Sequence, residues 1–372
     1  ADDPFADDPF AIAGVPRVIN AAGKMTALGG SAQAPPVAAA QAAAARAHVD
    51  LDLLRAAVSA RIAERCGAEA ACITTGAAAG ICISVAAVLT GADADRVRMV
   101  PDRLDGPREI ILQAGHDVFF GASVEQMIRV GGGRPRVVGS AQGVTADDVR
   151  AGIGAETACL MYVQSHHCIQ ENRLDLNAFV ALAREAGVPL IVDAAAEADL
   201  QRYLAAGADL VAYSGGKAIG GPTSGFVVGR ADLVRACEMQ SAGIARAMKV
   251  GKEQIMGLLT AVNRYPPPEA WRDVLDALAE ALTPLSGLVT ARVPDRAGRD
   301  IERLGVRPQG DAFLLEDLVA WLTSGTPSIR TRNHQLREGV VLFDPRELEL
   351  SHVPLIRDRM AAFLKTLGEG RG

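Results

Sequence analysis

Two residues of opposite charge, Asp193 and Lys217, close two apolar runs separated by a helix-like spacer in the stretch IVDAAAEADLQRYLAAGADLVAYSGGK. If both runs are parallel strands of one sheet, the carboxylate and the amine emerge at the same edge, where open α/β sheets build their sites. An amine held there can condense with a carbonyl, and a carboxylate beside it can keep a ring nitrogen protonated. Those are the two requirements of pyridoxal phosphate, whose ring takes up electrons while its nitrogen carries a proton.

Each residue also has a plainer use. A lysine in a loop is ordinarily solvated, and an aspartate between strand and helix is a ready helix cap. The GGK sequence suggests a nucleotide-binding P-loop, but that loop needs a glycine at 211 and a hydroxyl at 218, where the chain has Val211 and Ala218. Ala195 is small enough to let a ring lie flat, and Ser214 is placed to give its hydroxyl to a phosphate. Upstream, TTGAAAG puts Gly76 and Ala77 at the turn opening an apolar helix-like run, and the free amides of such an end seat a phosphate.

Gln164 or His166, at the end of the MYVQS run, could reach the ring oxygen of the cofactor, and His116 in LQAGH is a candidate to stack on the ring. An exposed loop histidine is the alternative for His116. His166, His167 and Cys168 invite a metal, but adjacent strand residues point to opposite faces, so no metal is expected.

The elements that must position these residues alternate along the chain. Strand-like runs at Ala70–Thr74, REIILQAG, RPRVVG, TACLMYVQS, VPLIVD and DLVAYS are separated by helix-like segments at Ala77–Leu89, VEQMIRVGG, Thr145–Ile153, Leu176–Ala186 and Leu200–Ala206. That rhythm predicts parallel βα units. GFVVG follows Lys217 after only a short loop and is expected to run antiparallel. Two alanine-rich helices are expected between Pro36 and Cys66, and two more at Arg230–Glu238 and Lys252–Asn263. The PPP run at Pro266–Pro268 reads as a hinge into a smaller domain that carries Leu314–Leu322 and GVVLFD.

With 372 residues, 49% of them hydrophobic, the chain is large enough for a large and a small domain with substantial cores. A net charge of −6 gives no general attraction to nucleic acid or anionic membrane. The six cysteines, Cys66, Cys72, Cys82, Cys159, Cys168 and Cys237, form no CxxC pair and read as reduced core residues, which suits the cytoplasm. Neither a secretory leader nor a membrane span is expected. The opening ADDPFADDPF is a tandem duplication or tag, left out of the fold argument.

The set VINAAGKM, TTGAAAG, IVDAAAE, SGGKAIGGPTSGFVVG and RAMKVGKEQI resembles the selenocysteine synthase-related branch of fold type I pyridoxal-phosphate enzymes. That branch includes seryl-tRNA selenium transferase and D-glucosaminate-6-phosphate ammonia-lyase-like proteins, and the resemblance runs from about Val15 to Leu348. It implies an α/β, aspartate aminotransferase-like fold: an N-terminal arm at 1–40, a large domain at 41–265 with a mostly parallel seven-stranded sheet, and a small α/β domain at 266–372.

It further implies Lys217 as the residue bonded to the cofactor, Asp193 as the partner of the ring nitrogen, and Gly76, Ala77 and Ser214 as the phosphate seat. In SGTPSIRTRN, Arg332 would clamp the substrate's carboxylate or another anion, with Arg330 two residues away as the alternative. The glycine-rich loop around Thr26 is a second substrate-side candidate. Arg246, Lys249 and Lys252 would lie near a subunit interface of a homo-oligomer, close to a neighbour's cofactor.

The implied reaction is removal of a Cα proton by Lys217 and α,β-elimination from a small amino acid or amino-sugar acid, giving a 2-keto acid and ammonia. Racemase and aldolase chemistry share the first step. Selenium transfer to seryl-tRNA is less favoured: barely fifteen residues precede the first shared motif, where that enzyme carries a tRNA-binding domain, and the acidic balance does not suit a tRNA backbone. Cofactor binding without catalysis is the non-enzyme alternative.

Overall fold

Each strand-like run of the sequence forms a strand. In a computed structural model describing residues 9–165, 168–169, 171–266, 270–295 and 300–369, the strands are β1 (Val18–Ala21), β2 (Ala70–Thr74), β3 (Glu109–Gln113), β4 (Arg134–Val138), β5 (Thr157–Val163), β6 (Leu190–Asp193), β7 (Leu210–Ser214), β8 (Gly225–Gly229), β9 (Leu288–Pro294), β10 (Glu302–Pro308), β11 (Ser328–Thr331) and β12 (Val341–Phe343). The chain divides into two compact units, Gln33–Pro267 and a smaller one formed by Ala1–Ala32 with Pro268–Gly372.

The larger unit is built on a seven-stranded sheet in the order β2-β8-β7-β6-β5-β3-β4. Neighbours β4, β3, β5, β6 and β7 pair in parallel, whereas β8 is antiparallel to both β7 and β2. The short connection from Lys217 to Gly225 has no room for a crossover helix, so β8 returns antiparallel as expected. Helices cover both faces, which is why the central strands are apolar at successive positions. Along β7, Val211 and Tyr213 enter the layer with Ile62, Phe179 and Leu258, while Leu210 and Ala212 enter the layer with Ile81, Ile128 and Val234.

Local signals set the helix ends. Asp50 caps Leu51–Cys66 and Gly67 ends it in the left-handed region; Asp175 and Gly187 do the same for Leu176–Ala186. Thr145 is the cap of Ala146–Gly152 in a reciprocal capping box with Asp148. The segment expected to be helical from Leu200 is shorter, Arg202–Ala206, because Asp199 Oδ1 accepts the amides of Gln201 and Arg202 in a preceding turn. The helix Pro35–Ala45 lies along Lys252–Asn263 of the larger unit. Gly257 permits this contact, since a Cβ there would meet Gln41 and Pro222.

In the smaller unit, β9, β10 and β12 form an antiparallel sheet in the order β12-β10-β9, and β1 pairs in parallel with β11. Helices Trp271–Leu282, Leu315–Ser324 and His352–Glu369 enclose a core that includes Leu278, Leu318, Phe343, Ile356 and Met360. Most of the opening duplication and most of the PPP run fall outside the described residues. No helix among the described residues is long and apolar enough to cross a membrane.

The smaller unit is fastened by Asp344, which is fully buried. Its carboxylate accepts from Arg303 Nε at 2.8 Å and from Arg346 Nε and Nη2 at 2.9 and 2.7 Å, and its amide donates to Ala21 O at 2.8 Å. Burial alone would raise its pKa, but Arg346 and Arg303 outweigh burial and hold it at about 2. The depressed value adds stability above the ordinary carboxylate range that is lost as pH falls towards about 2. Asp344→Asn takes a buried carboxylate from Arg346 and from Arg303, which keeps only Asp295 at 2.9 Å, and is expected to cost about 3–5 kcal/mol in urea unfolding at pH 7; a loss under 1 kcal/mol would contradict the assigned partners.

Candidate active site

Strand register assembles the site at the carboxyl edge of the large sheet. Gly225 pairs with both Thr74 and Ser214, and Asp193 pairs with Ala212 on one side and Val163 on the other. The residues that follow β2, β5, β6 and β7 therefore share one rim. Gly76 and Ala77, Gln164, Asp193 with Ala195, and Ser214 with Lys217 all lie in those segments.

Asp193 ends β6 with only 5% of its surface exposed. Burial pushes its carboxyl up to about 6, against the opposing pull of Lys217 and of the Ala195 amide, which donates to Oδ1 at 3.1 Å. The Gln164 amide donates to Asp193 O at 2.8 Å, and the Ser214 amide donates to Ala195 O at 3.2 Å, so three strand ends are tied together. A carboxylate this buried, at the edge where ligands bind, suits a cationic partner. A protonated ring nitrogen supplies one.

Lys217 is exposed, on the turn after β7, and interacts electrostatically with Asp193. Small residues shape its turn: Gly215 donates to Ser224 O at 2.8 Å and Gly221 to Gly215 O at 2.7 Å. A Cβ on Gly215 would collide with Ser224 Oγ. Ser214 is half-buried beside this turn.

Gly76 begins the helix Ala77–Thr90 with no side-chain cap, so the amides of its first turn are open to an anion. Thr74 Oγ1 donates to Gly76 O at 2.9 Å and orients the turn. A Cβ on Gly225 would lie 2.9 Å from Gly76 Cα, so glycine at 225 is what lets this turn close against β8. The buried carboxylate, exposed amine, uncapped helix start and nearby serine hydroxyl fit pyridoxal phosphate.

His116 requires a correction. It is fully buried, with Nδ1 accepting the Val163 amide at 3.1 Å, Nε2 3.1 Å from Gln113 Nε2, and its ring edge-on to Tyr162 at 4.7 Å. Burial, reinforced by Arg173, pushes its pKa down to about 4. The imidazole joins the loop after β3 to the end of β5 and has no open face for a cofactor ring. His166 and His167 lie outside the described residues. Among the described residues, no group of three or more His, Cys, Asp or Glu could hold a metal.

Thr26 and Arg332 belong to the smaller unit. Thr26 is exposed at the start of the short 3-10 helix Thr26–Leu28, and Arg332 is half-buried just after β11, bridged to Leu342.

Several supports of the rim had no motif. Arg173 reaches the carbonyls of Ala114, Ala141 and Asn172, joining three loops. The segment after Asp193 is held by Tyr203 Oη on Glu197 at 3.2 Å, Tyr213 Oη on Asp199 O at 2.9 Å, and Tyr265 Oη on Ala198 O. For Tyr213 the available signal was a tyrosine inside the otherwise apolar run DLVAYS, whose hydroxyl needs a partner once buried; Tyr203 and Tyr265 stand in polar or proline-rich surroundings that gave none.

The fold and site define a fold type I pyridoxal-phosphate enzyme. An aspartate aminotransferase from Thermotoga maritima superposes with a TM-score of 0.51 over 96% of this chain and 94% of that one at 15% identity, which supports the fold alone. The family model for SelA, L-seryl-tRNA selenium transferase, matches residues 18–293. The chain belongs to this family, in its selenocysteine synthase-related branch.

Among its relatives, D-glucosaminate-6-phosphate ammonia lyase of Salmonella typhimurium is 43% identical over 93% of this chain and 95% of that protein. A 5'-C-glycyluridine monooxygenase-decarboxylase of a Streptomyces species is 44% identical over 90% of this chain and 86% of that protein. A solved structure of D-glucosaminate-6-phosphate ammonia-lyase matches with a TM-score of 0.92 and 41% identity over 96% of this chain and 98% of that one.

The carboxyl of Asp193 gives an unusual stability profile. Its raised pKa means that, without cofactor, the folded state holds a proton that the unfolded chain releases, so apo stability falls as pH rises from about 4 to about 6. Asp193→Asn is expected to make the apo-protein more stable at pH 7.5, by about 1–3 kcal/mol, while weakening cofactor binding at least tenfold. Thermal unfolding of the apo-protein and cofactor titration check both; a variant that binds cofactor normally would contradict the role.

Proposed function

We propose that the chain is a pyridoxal-phosphate-dependent lyase that releases ammonia from an amino-sugar acid to leave a 2-keto acid. The observation carrying this reading is the Asp193–Lys217 pair on neighbouring strand ends, in a chain 43% identical to an ammonia lyase along nearly its whole length. Bound pyridoxal phosphate supplies an electron sink for charge developing at the substrate Cα. The protein's residues hold the cofactor and move the protons.

Ser214 and the open amides after Gly76 take the cofactor phosphate. Asp193 keeps a proton on the ring nitrogen, and because it is buried its charge acts at low dielectric. Ala195 would leave space for the ring, and Gln164 would be the residue to reach the ring oxygen. The Lys217 amine takes the Cα proton and can return it to the β-hydroxyl, which departs as water, so one group serves as base and then acid; the released enamine then takes up one water, breaking its C–N bond to give the 2-keto acid and ammonia. Arg332 takes a substrate anion, as a guanidinium's paired donors allow, and the loop at Thr26 contributes on the substrate side.

The enzyme is placed in the cytoplasm, a reading supported by six cysteines that are all buried and free. The enzyme is proposed to be a homo-oligomer with its site near the subunit interface, where Arg246, Lys249 and Lys252 would approach a neighbour's cofactor.

A second reading comes from the relative named for oxygen insertion and decarboxylation, at 44% identity. Oxygen decides between them. The lyase is expected to release ammonia and 2-keto acid from D-glucosaminate 6-phosphate in equal amounts and at the same rate with or without oxygen. Oxygen uptake with carbon dioxide release would favour the second reading, and inversion at Cα without ammonia would point to a racemase.

A further inference from the structure

We infer that His116 is a positioning residue for the cofactor: its imidazole stands in for the strand that β5 lacks at its end and so sets the place of Gln164, the proposed partner of the ring oxygen. The inference rests on the reading of the rim as a pyridoxal-phosphate site and deepens it.

Strand β5 loses one neighbour before the other. Its pairing with β3 stops at Leu160, opposite Ile111, while its pairing with β6 continues to Val163, opposite Asp193. Beyond Ile111, β3 stays with β4, Leu112 beside Val137 and Gln113 beside Val138. The sheet thus parts between β3 and β5 towards its carboxyl edge. The winding reverses at the same place: the helix Val124–Val130 after β3 packs in the layer of Ile81, and the helix Leu176–Ala186 after β5 in the layer of Ile62. Open α/β sheets bind ligands in the crevice at such a point.

Alternate residues of a strand turn their amides to opposite neighbours. The Leu160 and Gln164 amides face β6, donating to Pro189 O at 3.0 Å and to Asp193 O at 2.8 Å. Val163 therefore turns its amide and carbonyl to the side that β3 has left, where buried main-chain groups without partners would be costly. Side chains take them instead. His116 Nδ1 accepts the amide at 3.1 Å, and Cys168 Sγ lies 3.4 Å from the carbonyl oxygen. Since an amide N–H can only donate, Nδ1 is the unprotonated nitrogen of a neutral ring.

The ring is itself held in place. The His116 amide donates to Gln113 O at 3.0 Å, Tyr162 meets the ring edge-on, and the Gln113 side chain pairs with the amide and carbonyl of Leu174 at 3.0 and 2.9 Å. Half-buried Gln164 follows one residue after the amide that His116 holds. The main chain is gripped there from both sides, by His116 through Val163 and by Asp193 through Gln164. Without the first grip, Gln164 is anchored on one side only.

Asparagine and glutamine divide the imidazole between them. The side-chain oxygen of asparagine can stand where Nδ1 does, whereas glutamine extends to the Nε2 position and misses the Val163 amide. A donor on the ring oxygen draws charge from it, which lowers the pH at which the visible absorbance of the loaded protein changes. His116→Gln is expected to raise that midpoint by about 0.5–1 pH unit and to weaken cofactor binding about 3- to 10-fold, with His116→Asn close to wild type. Gln164→Leu should reproduce the glutamine effect, and adding His116→Gln to it should change little more.

Asparagine and glutamine variants that behave alike, a His116→Gln effect undiminished beside Gln164→Leu, or a loaded Gln164→Leu protein with both readouts unchanged would each overturn the inference. If glutamine does not fit the fold, His116→Ala removes the same acceptor without added bulk and is read in the same way; a cooperative unfolding transition shows that each variant is folded. A wild type that binds no cofactor ends the cofactor reading, and hydrogen exchange of the Val163 and Gln164 amides then decides on His116. Faster exchange in His116→Gln but not in His116→Asn supports its hold on Gln164, and equal rates overturn it.

Discussion

The site depends on a carboxylate buried where a positive charge must come to meet it. Asp193 is enclosed by its own strand, the two flanking strand ends and the tyrosine-held segment that follows it, and burial outweighs the pull of Lys217 on its carboxyl. A group so placed contributes little to the apo-protein and much to a cationic ring. In the proposed site the group least at ease in the apo-protein is therefore also the one that meets the cofactor.

The surrounding architecture keeps that geometry from relaxing. Gly225 lets the Gly76 turn close on β8, Thr74 orients the turn, and the Gly215–Gly221 loop presents Lys217. Arg173 and His116 secure the neighbouring loops through backbone carbonyls and an amide. In the smaller unit, Asp344 performs the corresponding task by joining Arg303, Arg346 and the β1 backbone. Both units use a buried carboxylate as an anchor, but with opposite electrostatics: Asp344 has its cations within the chain, while the environment of Asp193 leaves a place for one from a ligand.

Much of this was legible in the sequence because apolar runs and punctuation are local signals. The βα rhythm, the antiparallel return of β8, and the gathering of Gly76, Gln164, Asp193, Ser214 and Lys217 at one sheet edge follow from strand length, loop length and order. The mistaken expectation was of another kind. Whether His116 stacks on a ring or is absorbed by Val163 and Gln113 depends on residues that meet only after folding. The close approach of Gly225 to Gly76, nearly 150 positions away, and the three tyrosines around residues 197–199 are likewise tertiary facts. The reaction is less legible still, since relatives of 43% and 44% identity carry names for different bonds broken.

In the proposed enzyme Lys217, held opposite Asp193, bonds the cofactor. Borohydride reduction of the cofactor-loaded protein, followed by peptide mapping by mass spectrometry, tests it most directly. A pyridoxyl-phosphate adduct confined to the peptide containing Lys217 is the predicted result. An adduct on another lysine, or a fully loaded protein that gives none, would contradict it.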